Sequence, residues 1–260
     1  MLHLNKVESD LGKGKSTLKS KIAVMALAAL SLILALLAVG PAASAQAADK
    51  PLIGLTFDDG PSPQRTAFVL DVLKQKGVKA TFFLQGSHVQ QYPDLVRRIK
   101  AEGHVIGNHS WNHPNFPDLN QTSQKQEVDR TNAAIKSITG TTPKLMRFPF
   151  GNSTPYSLNY IRSIGMSGGI QWHWEVGEPG DYECPGAAGV QKYVMDEVAP
   201  GAIILLHDGN DVLSCPASQW DYLARTIDAI RAKGYDFGVV APSSTPSNLN
   251  EGSYGVVVAP

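Results

Sequence analysis

Cysteine is almost absent: Cys184 and Cys215 are the only two in 260 residues. Their distance apart excludes a Cys-x-x-Cys redox motif, and two thiols are too few for a thiolate metal cluster. That leaves one disulfide or two buried thiols. An excess of charge of one sign is also lacking, since Lys plus Arg and Asp plus Glu each number 23. With no basic surplus to hold a phosphate backbone, nucleic acid is not an expected partner. Neither a Gly-x-Gly-x-x-Gly nor a Walker-type Lys-Ser/Thr ending follows the first predicted strand, so nucleotide binding has no motif behind it. No His-Glu-x-x-His is present, which removes the common zinc-peptidase pattern. Internal repeats, low-complexity modules and interdomain linkers are missing too. With 43% apolar and 18% charged residues, one substantial folded domain is expected.

The one long apolar run lies near the start. Lys13, Lys15, Lys19 and Lys21 precede Ile22 to Val39, a stretch with no charge and a single serine, and small residues follow at Ala43-Ser44-Ala45 and Ala45-Gln46-Ala47. A basic head, an apolar middle and a small-residue cleavage site make residues 1–47 a secretory signal. The alternative is an uncleaved anchor, because the run is at the short edge of a spanning helix. Either way the remainder is expected outside the cytoplasm: secreted if cleaved, with no stable membrane association, or anchored at the cell surface. An exported chain favours the disulfide over free thiols. Removing residues 1–47 takes five basic and two acidic residues and leaves 18 against 21, a formal charge of −3.

Beyond the leader, short β-rich runs alternate with amphipathic stretches. Strands are predicted at 53–57, 80–84, 144–148, 202–206 and 236–240, and helices at 66–75, 95–101, 121–138, 190–198 and 220–232. This β, α, β, α order implies an α/β fold with a mainly parallel sheet, open or closed into a barrel. Residues 48–241 read as the domain. Residues 242–253, rich in Ser, Pro and Asn, read as a surface loop before an apolar tail at 254–258 that packs back.

Polar residues gather where strands end, which in such folds is one face. Asp58 and Asp59 follow the first strand, and adjacent carboxylates can divide labour between metal coordination and base chemistry. As a bare Asp-Asp-Gly-Pro segment they would be only a turn. His109 and His113, four apart, would point the same way from one helical turn and reach one divalent ion. Two nitrogens and one carboxylate oxygen suit zinc, without excluding iron, cobalt or manganese. Arg147 ends another predicted strand, where it could hold an aspartate base, and a backbone amide beside Gly151 could face oxyanion charge. His207 ends a fourth and is placed to act as an acid toward a leaving group.

These ordered motifs resemble those of the secreted polysaccharide deacetylases of the NodB-homology type, carbohydrate esterase family four, over about residues 51–241. The resemblance implies a distorted (β/α) barrel with Asp58 as base, Asp59, His109 and His113 as ligands of one divalent metal, and Zn2+ foremost with Co2+ possible. It further implies that Arg147 orients Asp58, that the Phe150 amide helps form an oxyanion hole, that Leu205 lines an acetyl pocket and that His207 is the acid. The fourth motif departs from the family: Asp181 is the best match to the carboxylate that supports the arginine, with Glu175 and Glu178 as alternatives, and Tyr182 replaces the usual Trp. Tyr182 and Trp174 are candidates for sugar binding, and Trp111, Trp172 and Trp220 for either groove or core. Cys184 and Cys215 follow presumed site motifs, so their disulfide would join two rim loops.

The implied reaction is removal of acetyl from a carbohydrate polymer by a monomeric enzyme. Metal-activated water makes Ser62 and Ser110 unnecessary as nucleophiles. Chitin or chito-oligosaccharide is the first expectation for substrate, with acetylxylan and peptidoglycan as alternatives. A noncatalytic carbohydrate-binding protein is a further alternative. A glycosidase fits less well, because its two carboxylates flank a glycosidic bond and are not adjacent.

Overall fold

Strand β1 (Leu52–Asp58) is paired along both edges and organises the domain. The computed structural model describes residues 50–174, 180–209 and 214–260. The expected leader, Glu175 and Glu178 lie outside the described residues. Along one edge β1 pairs in parallel with β4 (Ile203–His207) from Gly54 to Asp58. Its other edge is shared between β5 (Asp236–Pro242) at Leu52–Gly54 and β2 (Thr81–Leu84) at Thr56–Asp58. β3 (Val105–Asn108) adds in parallel to β2.

Beyond β3 the ring closes through single residues. Met146 makes parallel bridges to Asn108 and Gly169, and the His173 N–H donates to the Ile203 carbonyl at 2.9 Å, which returns the chain to β4. The result is the α/β fold expected, a central sheet with flanking helices curved into a distorted barrel. The strand predicted at 144–148 is corrected to this one bridged residue. Pro143 and Pro149 bracket it, and neither can donate to a ladder.

Alternation along the strands separates two interiors. Ile53, Leu55 and Phe57 of β1 pack with Phe82, Leu84, Ile204 and Leu206 beneath the helices, Phe57 and Phe82 stacking at 5.2 Å. The opposite set fills the barrel: Phe83, Leu145, Ile170, Ile203 and Val240 form its apolar floor, above which Asp58, Arg147 and His207 sit near the strand ends.

The covering helices are α1 (Arg65–Lys76), α2 (Gly86–Gln91), α3 (Pro93–Ala101), α4 (Gln121–Thr139), α5 (Pro155–Ser163), α6 (Gly186–Asp196) and α7 (Tyr222–Ala232). Local chemistry sets several of their ends. Asn120 caps α4 by accepting from the Ser123 N–H, and Thr154 with Ser157 forms a capping box on α5. α2, α5 and β3 were not anticipated; Val-Ile-Gly-Asn offers too few apolar positions to declare a strand. At the C-terminus, β6 (Gly255–Val258) pairs antiparallel with β5.

Phe57 is fully buried in the main core. Phe57→Ala is therefore expected to destabilise the domain by about 3–5 kcal/mol, read as a lowered denaturant midpoint at unchanged slope.

Candidate active site

The strand ends deliver four functional segments to one cavity of about 540 Å3. Asp59 follows β1 in left-handed backbone, φ 70°, and His109 follows β3. The histidines were expected on one helical turn. They instead flank an irregular loop in which Ser110 and His113 both take positive φ, 65° and 59°. That loop is tied down at several points: Asn108 Oδ1 accepts from the Ser110 N–H, Ser110 Oγ accepts from the His113 N–H, and Glu127 Oε2 of α4 accepts from the N–H groups of Trp111 and Asn112. His109 and His113 still converge, with ring centroids 5.0 Å apart.

The cluster Asp59, His109 and His113 brings one ligand atom from each residue within 4.8 Å of the others. His109 Nδ1 lies 2.8 Å from the Arg147 carbonyl. A carbonyl only accepts, so Nδ1 carries the hydrogen and neutral His109 presents the Nε2 lone pair to the cluster. Nε2 sits 3.2 Å from Asp59 Oδ1, and His113 Nε2 sits 3.4 Å from the same oxygen. Both Asp59 oxygens are buried without a hydrogen bond. Electron pairs directed at one another in a dry site require a positive charge between them, and this donor set fits a divalent ion such as Zn2+.

Without an ion, the positive charge between these groups would have to come from the histidines. Burial alone would push Asp59 up, but His109, with His207 and His113 behind it, holds its carboxyl well below the usual range. Burial opposes charge on His109, yet Asp58 and Asp59 raise it; at His113 burial prevails and lowers it. His88, which the sequence reading missed, holds the Asp59 carbonyl through Nδ1 at 2.8 Å. Gly209 is needed at the opposite wall, because a Cβ there would lie 2.3 Å from the Asp59 Cβ.

Beside the cluster, Asp58 Oδ1 accepts from Arg147 Nη1 at 2.8 Å, while Oδ2 is 3.7 Å from His109 Nε2. Arg147 is completely buried. It also donates to Thr56 Oγ1 at 2.8 Å and to the Ile170 carbonyl at 3.2 Å, with its guanidinium 4.3 Å above the Phe83 ring.

Asp181 was expected to support this arginine, and that role is corrected. Both of its oxygens serve His207: Oδ1 is 2.7 Å from His207 Nδ1, and Oδ2 accepts from the His207 N–H at 2.7 Å. The single helical turn at Asp181–Glu183 sets Asp181 beside the end of β4, where Gln219 Nε2 donates to its carbonyl at 2.7 Å. Arg147 meets its acceptors from β1 and the 170 segment instead. Burial would lower the His207 pKa, but the Asp181 charge and hydrogen bond outweigh it and push it up to about 10.

The same turn carries Cys184, disulfide-bonded to Cys215 with Cα atoms 5.2 Å apart. The bond therefore ties the segment that holds Asp181 to the loop after His207. Leu205 lines the cavity between the acid and base sides. At the rim, Phe150 (63% exposed), Tyr182 (51%) and Trp174 (43%) present open aromatic faces. Phe150 takes φ 57°, which brings its ring to 4.7 Å from His113 and its backbone beside the cluster. Trp172 lines the cavity, whereas Trp111 and Trp220 stack on Arg130 and Arg65. Asn152, Gln171, Tyr193 and Glu251 also line it without having been anticipated, because no strand-end motif marks them.

The polysaccharide deacetylase family model matches residues 45–169. A chitooligosaccharide deacetylase of Rhizobium leguminosarum bv. trifolii is 38% identical over 170 residues, covering 64% of this chain and 74% of that protein. The chain belongs to the polysaccharide deacetylase family. A peptidoglycan-N-acetylglucosamine deacetylase of Bacillus cereus is 34% identical, covering 75% of this chain and 68% of its own. Among solved structures, a family 4 carbohydrate esterase from Streptomyces lividans in complex with acetate superposes with a TM-score of 0.69 at 31% identity, over 82% of this chain and all of that one. Fold, family and the Asp-His-His cluster together make this chain a metal-dependent deacetylase.

Two outcomes follow for this deacetylase. Asp59→Asn or His109→Ala is expected to weaken zinc binding by more than about 100-fold in a chelator competition, since loss of a ligand exceeds the loss of an outer partner. Asp181→Asn removes the charge that raises His207, so its imidazole should titrate at lower pH by NMR in the zinc-loaded protein. An unmoved titration would remove Asp181 as the cause.

Proposed function

We propose that this enzyme hydrolyses the N-acetyl groups of chitin or chito-oligosaccharides outside the cytoplasm. The observation that carries the choice of substrate is the charge of the cavity. Among the described residues no lysine or arginine lines it, Glu251 does, and three exposed aromatic rings border it. Such a groove suits stacking against uncharged sugar rings and gives no lysine or arginine to the carboxylates of a peptide-bearing or uronic-acid-bearing polymer. Export rests on the leader pattern of residues 1–47 and agrees with a disulfide between Cys184 and Cys215.

In this reading Asp59, His109 and His113 hold the ion, which when bound supplies Lewis-acid polarisation of the acetyl carbonyl and acidifies the attacking water. Asp58 takes the proton from that water. Arg147 keeps Asp58 aimed, because its fork holds Oδ1 and leaves Oδ2 toward the cluster. Attack on the carbonyl carbon makes a tetrahedral oxyanion, and the Phe150 amide donates to it. Leu205 packs against the acetyl methyl. His207, kept cationic by Asp181, delivers a proton to the sugar nitrogen as the C–N bond breaks, releasing acetate and an amine.

The test is acetate release by the zinc-loaded protein from N-acetylated chito-oligosaccharides, acetylxylan and peptidoglycan, beside a chelated control. Chelator-sensitive release that is fastest from chito-oligosaccharides is expected. Fastest release from either other polymer moves the substrate to that one, and binding without release from any makes the protein a carbohydrate-binding one. Asp58→Asn and His207→Ala should each lower kcat by about 10²–10⁴-fold with zinc content retained.

A further inference from the structure

We propose that Glu251 forms a cation-selective subsite that reads the ammonium of a glucosamine unit neighbouring the acetylated sugar, so that the enzyme favours partly deacetylated chains. The inference rests on the chito-oligosaccharide reading and extends it from the reacting sugar to its neighbour. Glu251 comes from the segment before β6, far in sequence from every motif, yet it lines the same cavity as Asp58, His109, His113 and His207.

Its backbone setting is unfavourable for its residue type. The Ser253 N–H donates to the Asn250 carbonyl at 2.8 Å, closing a four-residue turn whose two central residues, Glu251 and Gly252, have φ 47° and 75°. Positive φ at both positions is the type I′ geometry, which selects Asn, Asp or Gly at the first. A glutamate there is locally disfavoured. The turn is nonetheless fixed from beneath: Asn250 is 2% exposed, its Oδ1 accepts from the Ile203 N–H at 2.8 Å, and its Nδ2 donates to the Gly201 carbonyl at 3.0 Å. A disfavoured residue on a rigidly anchored turn at the edge of a reaction cavity points to a demand from the ligand.

The chemistry of that demand is positive charge. Glu251 is exposed, and no cation pairs with its carboxylate among the described residues. The buried carboxylates of the centre are engaged: Asp58 holds Arg147, Asp181 holds His207, Asp59 belongs to the metal cluster and Asp208 accepts from Thr66 Oγ1. Each turnover on an N-acetylglucosamine chain converts a neutral amide into a primary amine that is protonated near neutral pH. The product of one reaction therefore carries the group that Glu251 would recognise when the chain binds again one sugar along.

The experiment compares kcat/KM for a fully N-acetylated chitotetraose and for tetramers with one internal glucosamine, using zinc-loaded protein and its Glu251→Gln variant. The glutamine keeps an acceptor oxygen for hydroxyls and removes only the charge. The preference for glucosamine-bearing over fully acetylated tetramer is expected to fall about two- to fivefold in the variant, the size of one exposed ion pair, and to shrink in the unaltered protein at high salt. An unchanged ratio, including an equal loss on both substrates, would overturn the proposal and leave Glu251 as a hydroxyl acceptor. Glu251→Lys provides a second reading and should press the ratio below that of Glu251→Gln. If the unaltered protein releases no acetate from either tetramer, the chito-oligosaccharide reading fails by itself. Calorimetric binding of a glucosamine tetramer then decides the subsite: weaker binding by Glu251→Gln supports it, and equal binding overturns it.

Discussion

The buried pair of Arg147 and Asp58 is the interaction on which the site depends. A guanidinium with no solvent exposure is costly unless its charge is opposed. Here Asp58 opposes it inside the barrel, and Thr56, the Ile170 carbonyl and Asp58 meet Nη1 and Nε while Nη2 makes no hydrogen bond. Because the Arg147 carbonyl also receives His109 Nδ1, the same residue fixes the direction of the base and the tautomer of a metal ligand. Neither function can shift without the other. The alternation of β1 makes this possible, sending Phe57 to the main core and its neighbours Thr56 and Asp58 into the barrel.

On the far side of the cavity the same logic appears with the opposite polarity. Arg147 is a fixed cation that holds a carboxylate, whereas Asp181 is an anion that keeps an imidazole protonated. A carboxylate paired with a cation and an imidazole paired with an anion are placed for one group to take a proton and the other to give one. The acid side is built less from the sheet than from cross-links: the His207 N–H to Asp181, the Gln219 amide to the Asp181 carbonyl, and the disulfide from Cys184 to Cys215.

Much of this was legible because it follows from local pattern. The short apolar runs at 53–57, 80–84, 202–206 and 236–240 mark strands that the structure contains, and Asp58, His109 and His207 from strand ends line one cavity. What was not legible depended on distant partners. The two histidines converge through a left-handed loop braced by Glu127, and spacing alone suggested a helical turn. Asp181 was matched to the arginine because its place in the chain does not reveal that it lies beside β4. Met146 keeps only single bridges because of flanking prolines whose effect on a closing barrel no periodicity reports. Glu251 carries no motif, and only the fold of the final segment brings it to the cavity.

The charge distribution explains why a metal is required at this point. Four carboxylates, Asp58, Asp59, Asp181 and Asp208, are each at most 3% exposed around the ends of β1 and β4. Unpaired buried charges are too costly to persist, so each needs its own compensation. Asp58 has Arg147, and Asp181 has His207. Asp208 is pushed up to about 7, first by burial, with Thr66 Oγ1 opposing and the neighbouring aspartates adding, so protonation relieves much of its charge near neutrality. Asp59 has no such outlet: both of its oxygens are buried without a hydrogen bond, with Oδ1 facing the Nε2 atoms of His109 and His113. An ion at that position completes the neutralisation of the centre, so the charge that would polarise the acetyl carbonyl is also the one that lets these residues be buried together.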